Sequence, residues 1–285
     1  MFLEILVYGG VASAIYAMLA IGLTLIVGLA RVFNMAHGAF YMLGAYGVFS
    51  ASQLLNLPLG VAVGLSLLVV ALIALMVERI CLRPLKGSLE GTLFITLILA
   101  LFFEEIIHLA FGPAARATPA FLSGRVVLGG TTVPAQRMLV VLVSIVIILG
   151  LWVFISKTKI GGAILSVSQD QESASLMGIN AKKMIVLVNG IAACLAALAG
   201  ILVAPFLSSS PTMWVMPLIK SFTIVILGGL GSVIGSIMAA LILGYSETLV
   251  AFLISPRISE LVTLIILFLV IVLRPAGLMG SKTEA

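Results

Sequence analysis

Few side chains in this 285-residue chain could do chemistry. Glu104, Glu105 and His108 fall within about one helical turn, and Glu104 and His108, four apart, share a face. Three such groups could hold a metal or pass a proton; the plainer reading is a polar cap at the end of a span that meets a partner. Glu247 interrupts an apolar run, so its carboxylate must face protein or water. It could line a path, pair across a subunit interface, or carry protons in an ion-gradient-driven transporter. Asn34 and His37 stand beside long uncharged runs, where a gate or path lining competes with a helix-end cap bonded to local backbone. Cys81 and Cys194 have neither Cys-x-x-Cys nor Cys/His ligand spacing and read as small buried hydrophobes. No nucleophile has a base or metal partner nearby, and no G-x-x-x-x-G-K-[ST] phosphate loop occurs. The chain is thus not expected to be an enzyme, to bind a metal or cofactor, or to cradle ATP.

Composition decides what must position these residues. The chain is 62% hydrophobic and 9% charged, against roughly a quarter charged in a soluble globule, so lipid must cover much of it. The apolar runs are continuous and lack the alternation of a membrane barrel. Backbone in hydrocarbon must bond to itself, which leaves an all-α, polytopic helical bundle. The net charge of +5 does not indicate a nucleic-acid partner, because the basic residues sit at span ends.

Spans are expected at 5–30, 35–55, 59–78, 90–111, 138–156, 184–207, 232–255 and 258–273. Segment 218–230 is about 20 Å long as a helix, shorter than the bilayer core, and ends in Gly228-Gly229-Leu230-Gly231-Ser232. It is a short or discontinuous helix of the kind that lines a central path, with Gly229 and Gly231 at the break; the same glycines would also let helices approach closely. The total is eight or nine crossings in one transmembrane domain covering 1–285. The first span follows a start without Lys or Arg and is too long for a cleavable leader, so it is read as retained. A second break, Asn34-Met35-Ala36-His37-Gly38, is placed at the same side of the membrane as the first. Small-residue helices follow both (Gly44-Ala45-Tyr46-Gly47; Gly235-Ser236 with Ala239-Ala240), which hints at an internal duplication.

Basic residues set orientation. Nine crossings would place Arg79, Arg83 and Lys86, then Lys157, Lys159, Lys182 and Lys183, then Arg274 and Lys282 on one cytoplasmic face. The N-terminus and the polar connection 112–136 would lie outside, although Arg116, Arg125 and Arg137 there weakly violate the rule.

Residues 157–183 form a polar island between two long uncharged stretches. Ile164, Val167, Ala174 and Met177 fall on one helical face and Gln169, Asp170, Glu172 and Ser173 largely on the other. Gly178 is a plausible helix stop and Asn180 an N-cap for the next span. The pattern suits one or two short amphipathic helices at the membrane face, patterned for docking more than a plain connector is.

The island's Gln169-Asp170-x-Glu172-x-Ala174-x-x-Met177-Gly178-Ile179-Asn180 resembles the cytoplasmic coupling loop of ABC importer permeases, in the form found in the branched-chain amino acid permease family, H-type subunit. Arg31-x-x-Asn34-x-Ala36-His37-Gly38 with Met42-x-Gly44-Ala45-Tyr46 is similar to that family's N-terminal signature, and Leu273-Arg274-Pro275-x-Gly277-Leu278-x-Gly280 to its C-terminal tail. The resemblance covers essentially the whole chain. It implies an inner-membrane permease with the ABC importer fold. This would pair with an M-type permease and two cytoplasmic ATPases, which use the ATP and Mg²⁺. A periplasmic solute-binding protein would deliver branched-chain or other hydrophobic amino acids, with urea or short amides as alternatives. It also makes Gln169, Asp170, Glu172, Ser173, Ala174, Met177 and Gly178 the ATPase-coupling set, and Asn34, His37, Gly38, Gly229, Gly231 and Glu247 candidates for path or gate. One departure is notable: family members usually carry basic residues where this chain has Gly162 and Leu165, which shifts the expected ATPase contact to Gln169–Ser173 with Lys157 and Lys159.

Overall fold

The computed structural model describes residues 2–85, 88–128, 131–274 and 276–279; Lys86, Lys282, Pro275 and Gly280 lie outside them. The helices are α1 (Phe2–Ala30), α2 (Ala36–Phe49), α3 (Leu59–Val77), α4 (Leu89–Phe111), α5 (Ala135–Lys157), α6 (Lys159–Gln169), α7 (Gln171–Leu176), α8 (Ala181–Val203), α9 (Val215–Gly228), α10 (Val233–Leu253) and α11 (Pro256–Leu273). Seven are long and apolar enough to span a membrane. A π-helical turn, Ser50–Leu54, prolongs α2, and Glu78–Leu82 prolongs α3. The 112–136 connection contains a hairpin that the sequence reading left out: β1 (Arg125–Leu128) pairs antiparallel with β2 (Thr131–Pro134). Each strand has four residues, too few for alternation to register.

α1 to α4 and α8 to α11 follow one plan. Each unit has a long helix, a non-helical return (31–35 or 204–214), a helix of 14 residues, and two further long helices. Neighbours repeat as well: α2 lies against α8, α3 and α4 as α9 lies against α1, α10 and α11. The units run in opposite senses, since α1 ends at the island and α8 starts there. An internal duplication therefore exists, but it matches α1–α4 with α8–α11 and pairs the return before α2 with the return before α9. The glycine break at 228–232 is not the counterpart of Asn34–Gly38. Nor do those two breaks lie at the same level. The first dips to mid-bundle, where His37 Nε2 is 3.0 Å from Leu19 O on α1, while Gly231 packs against Gly28 near the α1 terminus.

The described residues thus pass nine times between the ends of the bundle. Seven passes are single helices, and two combine a non-helical return with α2 or α9. Bonds at both ends of the first return help it sit inside apolar surroundings: Arg31 N to Val27 O, Met35 N to Thr96 Oγ1, and, at the start of α2, Ala36 N to Asn34 Oδ1 and His37 N to Asn34 O.

Small residues set the central packing. A Cβ on Gly200 would lie 2.0 Å from Tyr41 O, one on Gly44 would lie 2.4 Å from Ala197 O, and one on Gly244 would lie 2.3 Å from Ser13 Oγ. These contacts draw α2 onto α8 and α10 onto α1, backbone against backbone, which is how helices associate where lipid gives no hydrophobic drive. The outer helices α3, α4, α5 and α11 expose Leu, Ile, Val and Phe side chains, such as Phe94, Leu142 and Phe268, as a lipid-facing surface does.

Candidate functional site

The functional candidates lie on the island, at a mid-bundle junction, at the α9–α10 turn and behind the wall of a cavity. On the island, Thr158 caps α6 through the Gly161 amide, and Asp170 caps α7 through the Glu172 amide. The Ser173 hydroxyl and the Glu172 and Ser173 amides hold the Asp170 carboxyl below the usual carboxylate range. Ile164, Val167 and Ala174 are buried against Ile26 and Leu29 of α1 and Ile185, Val188 and Ala192 of α8. Gln171 Nε2 donates to Leu29 O at 3.0 Å, so the island also closes the end of α1. Gln169, Asp170, Glu172, Ser173 and Gly178 are exposed as expected, and Gly178 (φ +84°) stops the helix. Asn180 Oδ1 accepts from Lys183 N.

Met177 differs from its expected place on the inward face. It is 85% exposed beside Leu176 at 86%. Extended backbone at Asp170 (φ −150°) interrupts the helix, so the spacing counted from Ile164 does not carry through to α7. The pair projects from the island as an apolar knob, with Glu172 and Lys182 on the wall of the adjacent groove. The exposed apolar side chain that the polar pattern does not single out is Leu176, three residues past Ser173. Arg79 and Arg83 follow α3 at this same end, where Arg83 borders a pocket with Lys182 and Lys183.

The second region lies mid-bundle. α2 and α9 begin side by side there and diverge: a Cβ on Gly38 would lie 2.9 Å from both Trp214 O and Leu218 Cβ. His37 is fully buried in this junction, and Asn34 Oδ1 accepts from the Ala36 amide, a bond to local backbone just before α2. Trp214 Nε1 donates to Glu104 Oε2 at 2.7 Å, which ties α4 to the start of α9, while Glu105 and His108 face outward. No group of three potential metal ligands occurs among the described residues. Gly229 (φ +100°) and Gly231 (φ +82°) form the turn from α9 into α10. The C-terminal motif docks on that turn, with Leu278 N bonded to Leu227 O and Met279 N to Gly228 O.

A cavity of about 690 Å³ occupies the half of the bundle away from the island, bounded by α1, α9, the α10–α11 corner and the 204–214 return. Its lining is mostly apolar. Lys220 and Arg137 supply positive charge, and Glu260 supplies the acid. Glu247 stands behind this wall. Its Oε2 accepts from Tyr16 Oη (2.5 Å) and Lys220 Nζ (2.8 Å), and its Oε1 accepts from the Thr263 hydroxyl. Lys220 Nζ also donates to Tyr16 Oη at 2.6 Å. Four helices, α1, α9, α10 and α11, are thereby tied at one buried point. Lys220 was readable as an ionised residue inside a short apolar helix; Tyr16 and Thr263 carry no such signal. Arg137, an exception to the basic-residue rule, lies 4.3 Å over the Tyr8 ring and 5.3 Å from that of Phe206.

Residues 5–271 match the family described as branched-chain amino acid transport system, permease component. The chain is 32% identical to the high-affinity branched-chain amino acid transport system permease protein BraD of Pseudomonas aeruginosa, over 98% of this chain and 96% of that one. It is 30% identical to LivH of Escherichia coli, a permease protein of the same description, with the same coverage. The solved structure of PsaBC from Streptococcus pneumoniae in complex with Fab superposes with a TM-score of 0.54 over 93% of this chain and 90% of that one; at 13% identity it shares the fold alone. These curated relatives are transport permeases, not enzymes, and this chain is a multi-pass membrane transport subunit of the same kind. It belongs to the branched-chain amino acid transport system permease family.

Proposed function

We propose that this ABC importer permease is the H-type half of a heterodimer with an M-type permease, and that it passes branched-chain or similar hydrophobic amino acids across the bacterial inner membrane. The supporting observation is the match to amino acid permeases along nearly the whole chain. The island end, which also carries Arg79, Arg83 and Arg274, is then cytoplasmic, as is the C-terminus; the N-terminus and the cavity face outward. Two cytoplasmic ATPases hold ATP and Mg²⁺ and seat on the island, a periplasmic binding protein delivers solute at the cavity end, and lipid surrounds the outer helices. The permease itself needs no cofactor.

Coupling follows from α1. The island is bonded to its end at Leu29, and Tyr16, halfway along it, is bonded to Glu247 and Lys220 beside the cavity. A push on the island displaces α1 and, with it, one wall of the cavity. Alternating access is the expected result, with the α2 and α9 junction as the place where path residues Asn34, His37 and Gly38 shift against Trp214. Leu176→Asp with Met177→Asp should remove most of the apolar contact with the ATPase. The ATPases should co-purify with the wild-type permease, and the variant should bind them about tenfold or more weaker, as loss of a buried interface anchor does. Equal recovery would refute docking through this knob.

A further inference from the structure

We infer that the outward cavity contains a carboxylate-binding subsite whose anchor is the ammonium of Lys220. Lys220 lines the cavity while its counter-ion Glu247 does not, so a solute there meets the cation first. The ammonium has three N–H donors. Two are engaged, by Tyr16 Oη at 2.6 Å and Glu247 Oε2 at 2.8 Å, leaving a third for a ligand. These partners also fix the lysine's rotamer, so little further ordering is needed when an anion binds. Its side chain is only 15% exposed, in a mostly apolar chamber, where a charge-assisted hydrogen bond is stronger than in water.

The rest of the lining suits a zwitterion with an apolar body. Val11, Ile15, Leu19 and Met216 offer aliphatic surface. Glu260 offers an acceptor for an ammonium group, and Arg137 adds a second cation. The subsite rests on the amino-acid import reading above and adds to it the atom that recognises the α-carboxylate.

The test is binding of radiolabelled leucine to the full chain in nanodiscs, with its co-purifying partners, followed by competition. In the wild type, 4-methylpentanoate, which keeps the carboxylate and lacks the amine, should displace leucine. Isopentylamine, which lacks the carboxylate, should do so far less well. Lys220→Met with Glu247→Gln removes both charges together and should weaken leucine binding about 10- to 100-fold, the range for one lost charge-assisted hydrogen bond. Lys220→Arg should retain most of the affinity. Preferential displacement by the amine would overturn the assignment without any variant, as would unchanged leucine affinity in the double variant. In parallel, leucine uptake by the wild-type complex tests the import reading. Uptake together with unchanged affinity in the double variant sinks the subsite alone, and no uptake at all sinks both.

Discussion

At the cavity wall half-buried Lys220 pairs with buried Glu247, Tyr16 bonds both and Thr263 bonds Glu247, whereas on the island Asp170, Glu172, Lys157 and Lys159 are exposed. Behind the cavity the Lys220–Glu247 pair is held in a network of side chains from four helices, while Arg137 and Glu260 add charge elsewhere on the lining. The island carries it on short capped helices whose one buried face rests on α1 and α8. The contrast matches two tasks. A path through hydrocarbon has to hold its polar groups in place against a desolvation cost. A docking surface has to keep its groups available to a partner.

The largest effect should come from breaking the network on one side. Glu247→Ala leaves the Lys220 ammonium without its counter-ion and should cost about 3 kcal/mol, the lower end of the range for buried pairs, because Lys220 borders a cavity that can admit water. Thermal unfolding in detergent measures it, and Lys220→Met with Glu247→Gln should recover most of the loss. No island charge should behave this way: Glu172→Ala should leave the melting curve in place.

Next in size is packing. Gly200→Ala puts a methyl 2.0 Å from Tyr41 O and should cost about 1–3 kcal/mol, while Gly162→Ala on the island meets nothing within 4 Å and should be neutral or slightly stabilising. Equal effects at the two glycines would remove the distinction between a jammed centre and an open surface.

The smallest effect concerns the α7 cap. Because the folded Asp170 carboxyl titrates below its ordinary value, the cap is fully present above the ordinary carboxylate pKa and is lost as pH falls through the depressed folded value. Protection of the Glu172 and Ser173 amides, measured against the intrinsic exchange rate at each pH, should therefore persist at neutral pH and fall only in acid. Asp170→Ala should lack that protection at every pH.

Most of the architecture is legible in the sequence because long apolar runs, caps and breaks are local signals. Asn180, Gly178 and the glycine turn at 228–232 fall where their chemistry requires. The short helix expected at 218–230 is α9, begun three residues earlier. What was not legible depends on distance. The descent of Asn34–Gly38 to mid-bundle depends on Thr96 and Leu19, from other helices. The outward turn of Met177 depends on one extended residue. The role of Glu247 depends on Tyr16, Lys220 and Thr263, which lie 231, 27 and 16 residues away. The small-residue helices after the two breaks point to a repeat but pair the wrong breaks, because inverted units share spatial neighbours more clearly than they share residues.

The central claim is that work done on the island moves the wall of the cavity. Leucine uptake into proteoliposomes tests it most directly, comparing the chain alone under proton and sodium gradients with the complex of permeases, ATPases and binding protein supplied with Mg-ATP. The account predicts uptake only in the complex with ATP, and its loss in Leu176→Asp with Met177→Asp. Gradient-driven uptake by the chain alone would contradict it.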